Sequence, residues 1–155
     1  MTQPATNPYL KTKILTASPE ELRLLLYDGA IKFCQQAIKP LEDKQYETSY
    51  NCLMRAQKIV LELSTSLNHD AAPQLCERLS ALYIYIYRLL VDANMRHTAE
   101  PVHEALRLLE YERETWQMLM HRAAEDGDPP ANAAEHAKNI QGAQQTAISS
   151  FSQKA

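Results

Sequence analysis

Residues 9–33 read YLKTKILTASPEELRLLLYDGAIKF, and this stretch decides the fold because it contains a sharply defined helix start. Ser18 can cap the first free backbone N–H groups, Pro19 suits the first helical position, and Glu21 can close a capping box. We predict a helix from Ser18 to about Ile38, ending near Pro40, which cannot continue a helix without kinking it. Its apolar stripe consists of Leu22, Leu25, Leu26, Ala30, Phe33 and Ala37.

The dipeptide Asp28-Gly29 could be interpreted as a turn, but the apolar periodicity continues on both sides of it. A glycine in the middle of a helix costs about 1 kcal/mol relative to alanine. We therefore expect Gly29 to lie within the helix and to allow close approach of a neighbouring element.

Three further helices are predicted, over residues 45–67, 73–96 and 101–123. Their connections are short, so successive helices must run antiparallel, and helices of about 20 residues each span about 30 Å. We predict an all-α fold: an antiparallel up-down four-helix bundle over residues 18–124. The apolar stripes are Tyr46, Tyr50, Leu53, Gln57, Val60, Ser64 and Leu67 in the second helix, Leu75, Leu79, Leu82, Ile86, Leu89 and Ala93 in the third, and Val102, Leu106, Leu109, Trp116 and Met120 in the fourth.

Residues 82–87, LYIYIY, alternate aliphatic and aromatic side chains and could be interpreted as a strand. The flanking residues keep a helical register, and no turn residue bounds the segment. A helix is therefore predicted here.

The two ends of the chain differ from its centre. Residues 1–17 are predicted to form an extended N-terminal arm. Residues 125–155 are predicted to form a disordered or weakly helical tail, because residues 131–155 are rich in Ala, Gln, Asn and Ser. The large apolar residues there are Ile140, Ile148 and Phe151.

Composition restricts the class of protein. The chain has 155 residues, 45% of them hydrophobic and 23% charged, with a net charge of −3. No basic cluster suggests nucleic-acid binding, and no segment resembles a signal peptide or a membrane span. Three cysteines without paired spacing fit reduced thiols in the cytosol, so we expect a cytoplasmic protein.

Motifs for catalysis are lacking in the sequence. A di-iron bundle needs two Glu-x-x-His pairs, whereas this chain has one, Glu100 with His103, and Glu100 falls at a helix start. No glycine-rich phosphate loop, nucleophile elbow or HExxH motif is present. We predict no metal, no cofactor and no enzymatic activity.

Two helices carry more apolar surface than one buried face requires. In the third helix, Ile84 and Val91 point away from the predicted core, and Tyr87 lies between that side and the buried stripe. In the first helix, Leu24, Ile31, Cys34 and Ile38 also lie off the stripe. Such helices are either central in a wide core, self-associating, or made to bind a partner.

Three groups of residues resemble the FliS family of flagellar secretion chaperones. The first comprises Tyr9 followed by TASPEEL (16–22) and LLYDGAIKF (25–33). The second is SALY (80–83) with Tyr85, Arg88, Leu90, Ala93 and Asn94, and the third is LLE (108–110) with RETW (113–116). The resemblance covers about residues 9–120, and a tail as long as residues 124–155 is not general in the family.

The resemblance implies a cytosolic export chaperone, acting without nucleotide, that binds the disordered C-terminal segment of flagellin. It would prevent premature polymerisation and deliver flagellin to the flagellar type III export gate. The arm carrying Tyr9 would cover part of a client groove and be offered to the gate. Tyr83 and Trp116 would shape the core beneath that groove. The residues predicted to bind partners are Tyr9, Ile14, Leu15, Ile84, Tyr87 and Val91.

Alternatives remain open at this point. Tyr9 could instead pack the arm onto the bundle. The exposed stripes could pair in a homodimeric adaptor that binds another helical client, or the bundle could be a metal-containing enzyme.

Overall fold

The computed structural model describes residues 7–126, and within this range the chain forms five α-helices and no β-strand. The predicted all-α class is therefore confirmed. The predictions for residues 1–6 and 127–155 lie outside the described residues. The helices are α1 (Pro8–Thr16), α2 (Pro19–Glu42), α3 (Tyr46–Thr65), α4 (Pro73–Arg96) and α5 (Glu100–Glu125).

The prediction of an extended arm is wrong for residues 8–16, which form α1. Asn7 caps this helix by accepting a hydrogen bond from the Tyr9 N–H, and Pro8 occupies the first turn. The Thr12 and Thr16 hydroxyls donate to carbonyls one turn earlier. The dipeptide Asn-Pro is itself a signal for a helix start, because asparagine can cap the helix and proline needs no N–H donor at the first helical position. No residue of α1 is buried.

Helix α2 begins as the sequence indicates and ends slightly later. The Ser18 side chain accepts from Glu21 N, and the Glu21 carboxylate accepts from Ser18 N, so the capping box is complete. Pro40 lies inside the last turn instead of ending the helix. Without an N–H, Pro40 cannot donate the usual hydrogen bond to the carbonyl one turn earlier, but the helix continues to Glu42 and the backbone turns at Lys44, which has a φ of 58°.

The four long helices surround one hydrophobic core. Helix α2 packs against α3 and α5, and α4 packs against the same two helices. Two contacts between helix ends indicate the relative directions of these helices. The ring of Tyr46, at the start of α3, stacks on His97 after the end of α4, and Trp116 in the second half of α5 reaches Glu20 in the first turn of α2. The buried core contains Tyr27, Leu53, Leu63, Tyr83, Ile86, Leu90, Val102 and Leu109, among others.

Several predicted stripes are rotated relative to the observed buried faces. Ile31 and Cys34 of α2, expected on an outward face, are buried in the core. In α4 the fully buried leucine is Leu90, whereas Leu89 is partly exposed. In α3 the predicted stripe began with Tyr46 and Tyr50, which are exposed. A helix flanked by two neighbours buries a wider arc than a single 4-3 stripe, and its centre depends on their positions.

The expectation for Gly29 is confirmed. It lies within α2, and a Cβ built there would be 3.1 Å from Ile59 Cδ1 of α3. The predicted helical state of residues 82–87 is also confirmed, because they lie in the middle of α4. Among residues 7–126, no helix is both long enough and apolar enough to cross a membrane.

Candidate functional site

An apolar groove of about 420 Å³ lies between α3 and α4 on the outside of the molecule. We call it the α3–α4 groove. Helix α3 supplies one wall and α4 the other, since the two helices pack side by side. Its lining residues are Val60, Leu61 and Ser64 of α3 and Tyr83, Ile84, Tyr87, Arg88, Val91, Asp92 and Met95 of α4.

The structure brings together the three partner-binding residues predicted in α4. Ile84, Tyr87 and Val91 all line the α3–α4 groove. Ile84 is 50% exposed, while Tyr87 and Val91 are half-buried. Their spacing of three and four places them along one side of the helix, where they form a continuous apolar wall.

The three residues predicted in the arm lie elsewhere. Tyr9, Ile14 and Leu15 are on α1, where Tyr9 is 74% exposed and Leu15 is 75% exposed. Among the described residues, the groove lining contains none of the three. The structure therefore separates the predicted site into a groove wall on α4 and an exposed apolar helix at the N-terminal end.

Sequence analysis missed the α3 wall of the groove and the end of the groove at Met95. Val60 was expected in the core, where it is indeed buried, but it also contacts the groove. Leu61 and Met95, exposed to 49% and 76%, were not singled out. The sequence did contain a signal for the α3 wall, because Leu61 is a large apolar residue that lies off the buried stripe of α3.

Tyrosine hydroxyls and an arginine form a polar layer behind the groove. The Tyr83 and Tyr27 hydroxyls are hydrogen-bonded to each other, and both side chains are almost fully buried. The Arg23 guanidinium donates to the Tyr83 hydroxyl at 3.1 Å and to Ser66 Oγ at 3.0 Å. One arginine of α2 therefore connects the end of α3 to the groove-lining Tyr83 of α4.

Burial in this layer raises the pKa values of both tyrosines. Removal from water raises the pKa of Tyr83 to about 12, although the Arg23 guanidinium opposes the shift. Burial also raises the pKa of Tyr27 well above its ordinary value, and the nearby Tyr83 and Glu112 groups add to the shift. Both hydroxyls are therefore neutral at physiological pH, and one of them donates the hydrogen bond to the other.

Trp116 packs at the end of the core where Arg23 lies. Its indole Nε1–H donates to the Glu20 carbonyl at 3.1 Å, which ties α5 to the first turn of α2. The Arg23 guanidinium carbon lies 5.3 Å from the centroid of the indole ring, within the range of a cation–π contact. Tyr83 and Trp116 thus both contact Arg23, behind the groove.

The rim of the groove carries few charges. Arg96 donates to the Asp92 carboxylate at 3.1 Å, and these partly exposed groups neutralise each other. Arg88 is exposed on the same helix. The groove is therefore mainly apolar, with one cation at its edge.

This chemistry suits binding, because the lining offers large apolar side chains to a partner surface. Within residues 7–126, no group of three or more His, Cys, Asp or Glu side chains could hold a metal ion. Apolar linings of this kind are used by other proteins to bind the apolar face of an amphipathic helix.

Comparison with known proteins identifies the class. Residues 1–123 match the family described as Flagellar protein FliS. The chain is 32% identical over 123 residues to the flagellar secretion chaperone FliS of Bacillus subtilis strain 168, which covers 77% of this chain and 91% of the relative. It is 28% identical over 116 residues to the protein of that name from Salmonella typhimurium, which covers 74% and 86% of the two chains.

A third relative, the flagellar secretion chaperone FliS of Campylobacter jejuni strain 81116, is 26% identical over 113 residues, covering 73% of this chain and 88% of the relative. These matches define the class as chaperones of flagellum biogenesis. The chain belongs to the FliS family. The matched residues 1–123 include all five helices except the last residues of α5.

Proposed function

We propose that this protein is a cytoplasmic export chaperone of flagellin that binds the disordered C-terminal flagellin segment in the α3–α4 groove. The observation that carries the proposal is the groove itself, a mainly apolar channel in a member of a family of flagellar secretion chaperones. Binding of the flagellin segment would prevent premature polymerisation. The complex would then deliver flagellin to the flagellar type III export gate.

The physical argument is that a terminal segment of a filament protein must hide an apolar helical face before assembly. The exposed Leu61, Ile84 and Met95 offer a complementary apolar surface, which is helix-in-groove recognition. Ordering a disordered segment costs about 2–5 kcal/mol or more of the interaction energy. This cost keeps the complex dissociable, as delivery to an export gate requires.

The organisation of the chain is part of the proposal. Residues 18–124 form an antiparallel up-down four-helix bundle, preceded by an N-terminal arm and followed by a tail. The exposed Tyr9, Ile14 and Leu15 of α1 contact the client or the export gate. The protein needs no cofactor, binds no nucleic acid and does not insert into membranes.

Calorimetric titration with a peptide of the flagellin C-terminal region tests the proposal. We expect a one-to-one complex and a negative heat-capacity change, because apolar surface is buried. A scrambled peptide of the same composition is the control. Equal heats from both peptides, or none from either, would reject flagellin as the client.

The double substitution Ile84→Asp with Val91→Asp locates the binding site. Both side chains face the groove and are at least partly exposed, so we expect little change in thermal stability and at least a tenfold loss of peptide affinity. Two carboxylates introduced into an apolar contact must be desolvated on binding, which is costly. A variant that no longer folds would place the two residues in the core instead.

The matched control is Tyr111→Asp with Met118→Asp. These exposed residues lie on α5, outside the lining of the α3–α4 groove, and the charge change is the same. Unchanged peptide affinity is expected. Equal loss in both double variants would mean that added charge, and not the groove, governs binding.

A homodimeric helical adaptor is the alternative function, because apolar grooves also pair with each other. Sedimentation equilibrium without client distinguishes the two. We expect a monomer whose mass does not rise with concentration, whereas a stable dimer disrupted by Ile84→Asp with Val91→Asp would favour the adaptor.

A further inference from the structure

The lining of the α3–α4 groove contains two charged residues, Arg88 and Asp92, both on α4. The Asp92 carboxylate accepts a hydrogen bond from Arg96 at 3.1 Å, so its charge is compensated. The Arg88 side chain is exposed, and within residues 7–126 its guanidinium has no hydrogen bond and no ion pair. The groove therefore carries one uncompensated positive charge in a mainly apolar surface.

The order of the charges along α4 explains why Asp92 pairs with Arg96 and not with Arg88. Asp92 lies one turn from each arginine, because it follows Arg88 by four residues and precedes Arg96 by four. On a helix, an acidic residue four positions before a basic one is the more favourable order. The ion pair within α4 thus leaves Arg88 without a carboxylate partner among the described residues.

Arg88 lies among the apolar residues of the groove wall. It follows Ile84 by four residues and precedes Val91 by three, so the three side chains lie on one side of α4. Ile84 is 50% exposed, and Met95 at the end of the groove is 76% exposed. A segment that covers Ile84 and Val91 must therefore also remove water from part of the Arg88 guanidinium.

This loss of water makes the groove selective for charge. A charged group that loses water without gaining a partner is strongly unfavourable. A carboxylate offers the planar guanidinium two parallel hydrogen bonds, whereas a lysine or arginine at the same place is repelled. The groove is therefore complementary to a segment whose apolar residues are flanked by an acidic residue.

We propose that Arg88 pairs with a carboxylate of the segment bound in the α3–α4 groove, and that it selects segments with an acidic residue beside their apolar residues. This inference rests on the proposed function, in which the segment belongs to flagellin. Apolar contacts alone allow a segment to slide along a groove, whereas a single polar contact fixes its register. Arg88 therefore also determines which residues of the segment meet Ile84 and Val91.

The same charge disfavours a second copy of this chain as the occupant. Arg88 lies near the middle of the α4 wall, which runs from Tyr83 to Met95. In a twofold pairing of two grooves the same surface meets itself, so the two Arg88 side chains would be close together in an apolar interface. The Asp92 carboxylate of each copy is already bonded to Arg96.

Calorimetric titration of the full-length chain tests the proposed pair. The proteins are the wild type, Arg88→Glu and the control Arg107→Glu, which makes the same charge reversal at an exposed arginine of α5 outside the groove lining. The probes are the flagellin C-terminal peptide and variants of it in which one Asp or Glu at a time is replaced by lysine. Thermal unfolding of the three proteins should be the same, because both arginines are exposed.

We expect Arg88→Glu to bind the flagellin peptide at least about tenfold more weakly than the wild type does, and Arg107→Glu to bind it within about twofold of the wild type. One lysine-substituted peptide should restore binding to Arg88→Glu while it binds the wild type weakly. Such a reciprocal exchange reports a direct pair, because a folding defect would weaken every peptide alike. Equal affinities of the wild type and Arg88→Glu, equal losses in both variants, or the absence of a restoring peptide would overturn the proposal.

Two designed peptides separate this inference from the flagellin proposal. Both are amphipathic helices of about 18 residues, or five turns, with leucines on one face. They differ in one residue at the border of that face, which is glutamate in the first peptide and lysine in the second. We expect the wild type to prefer the glutamate peptide and Arg88→Glu to prefer the lysine peptide.

The two proposals fail differently. This reversal of preference, without binding of any flagellin peptide, would retain Arg88 as the selecting residue and reject flagellin as the client. Binding of the flagellin peptide with equal strength to the wild type and Arg88→Glu would retain the client and reject the role of Arg88. If neither the designed nor the flagellin peptides bind, both proposals are rejected.

Discussion

At the residue scale, the hydroxyls of Tyr27 and Tyr83 link alkaline pH to stability. Burial raises both pKa values above those of exposed tyrosine, that of Tyr83 to about 12. A raised folded-state pKa means that the stabilisation is complete below the unfolded-state pKa of about 10 and is lost as pH rises further. We expect the free energy of unfolding to fall between pH 10 and 12, by about 2–3 kcal/mol from Tyr83 alone.

Denaturant unfolding at a series of pH values measures this loss. In the Tyr27→Phe and Tyr83→Phe double variant the fall above pH 10 should be shallower, since the two buried tyrosine hydroxyls have been removed. Tyr111→Phe, at an exposed tyrosine, is the control and should keep the wild-type slope. An identical slope in the double variant would contradict the assignment.

At the element scale, the start of α2 depends on two reciprocal hydrogen bonds, between Ser18 and Glu21. Replacing a capping serine by alanine leaves helix donors unsatisfied and costs about 1 kcal/mol. We expect Ser18→Ala to reduce the free energy of unfolding by about that amount in a chemical denaturation experiment. Because Trp116 bonds to Glu20 in the same turn, the loss should also loosen the contact between α2 and α5.

The control for this prediction is Thr48→Ala on the exposed side of α3. It removes a hydroxyl of similar size from a helix without removing a cap, and its expected effect is within about 0.5 kcal/mol. A loss at Ser18 no larger than that at Thr48 would show that the capping box does not contribute measurably.

At the scale of the whole molecule, three cysteines report on opening of the core. Cys34 is fully buried, and its burial raises the thiol pKa to about 12, so that reactive thiolate is scarce at neutral pH. Cys52 is partly exposed. We expect a thiol reagent to label Cys52 first and Cys34 only through global unfolding.

The measurement uses two single-cysteine proteins. One retains Cys34 after Cys52→Ser and Cys76→Ala, and the other retains Cys52 after Cys34→Ala and Cys76→Ala. Labelling of Cys34 should accelerate with added denaturant in parallel with the unfolding constant. Comparable rates for both thiols in native buffer would mean that the core opens locally around α2.

Sequence patterns predicted the helices better than they predicted which faces are buried. Ser18-Pro19 and Pro73 located helix starts correctly, because capping and proline geometry act within one turn. The extended arm was wrong although Asn7-Pro8 carries the same kind of signal. Burial of Ile31 and Cys34, and of Leu90 instead of Leu89, depends on where neighbouring helices lie.

The candidate site, too, was predicted only in part from the sequence. Ile84, Tyr87 and Val91 were recognised from their spacing along one helix, and they line the groove. Leu61 and Val60 were missed, because a groove needs a second wall whose position no single helix encodes. The sequence by itself determined the helical state, the caps and the apolar periodicity, which arise from interactions a few residues apart. Only the tertiary structure decided that α3 faces α4 across the groove and that Arg23 reaches Ser66 and Tyr83, since these contacts join residues 43 and 60 positions apart.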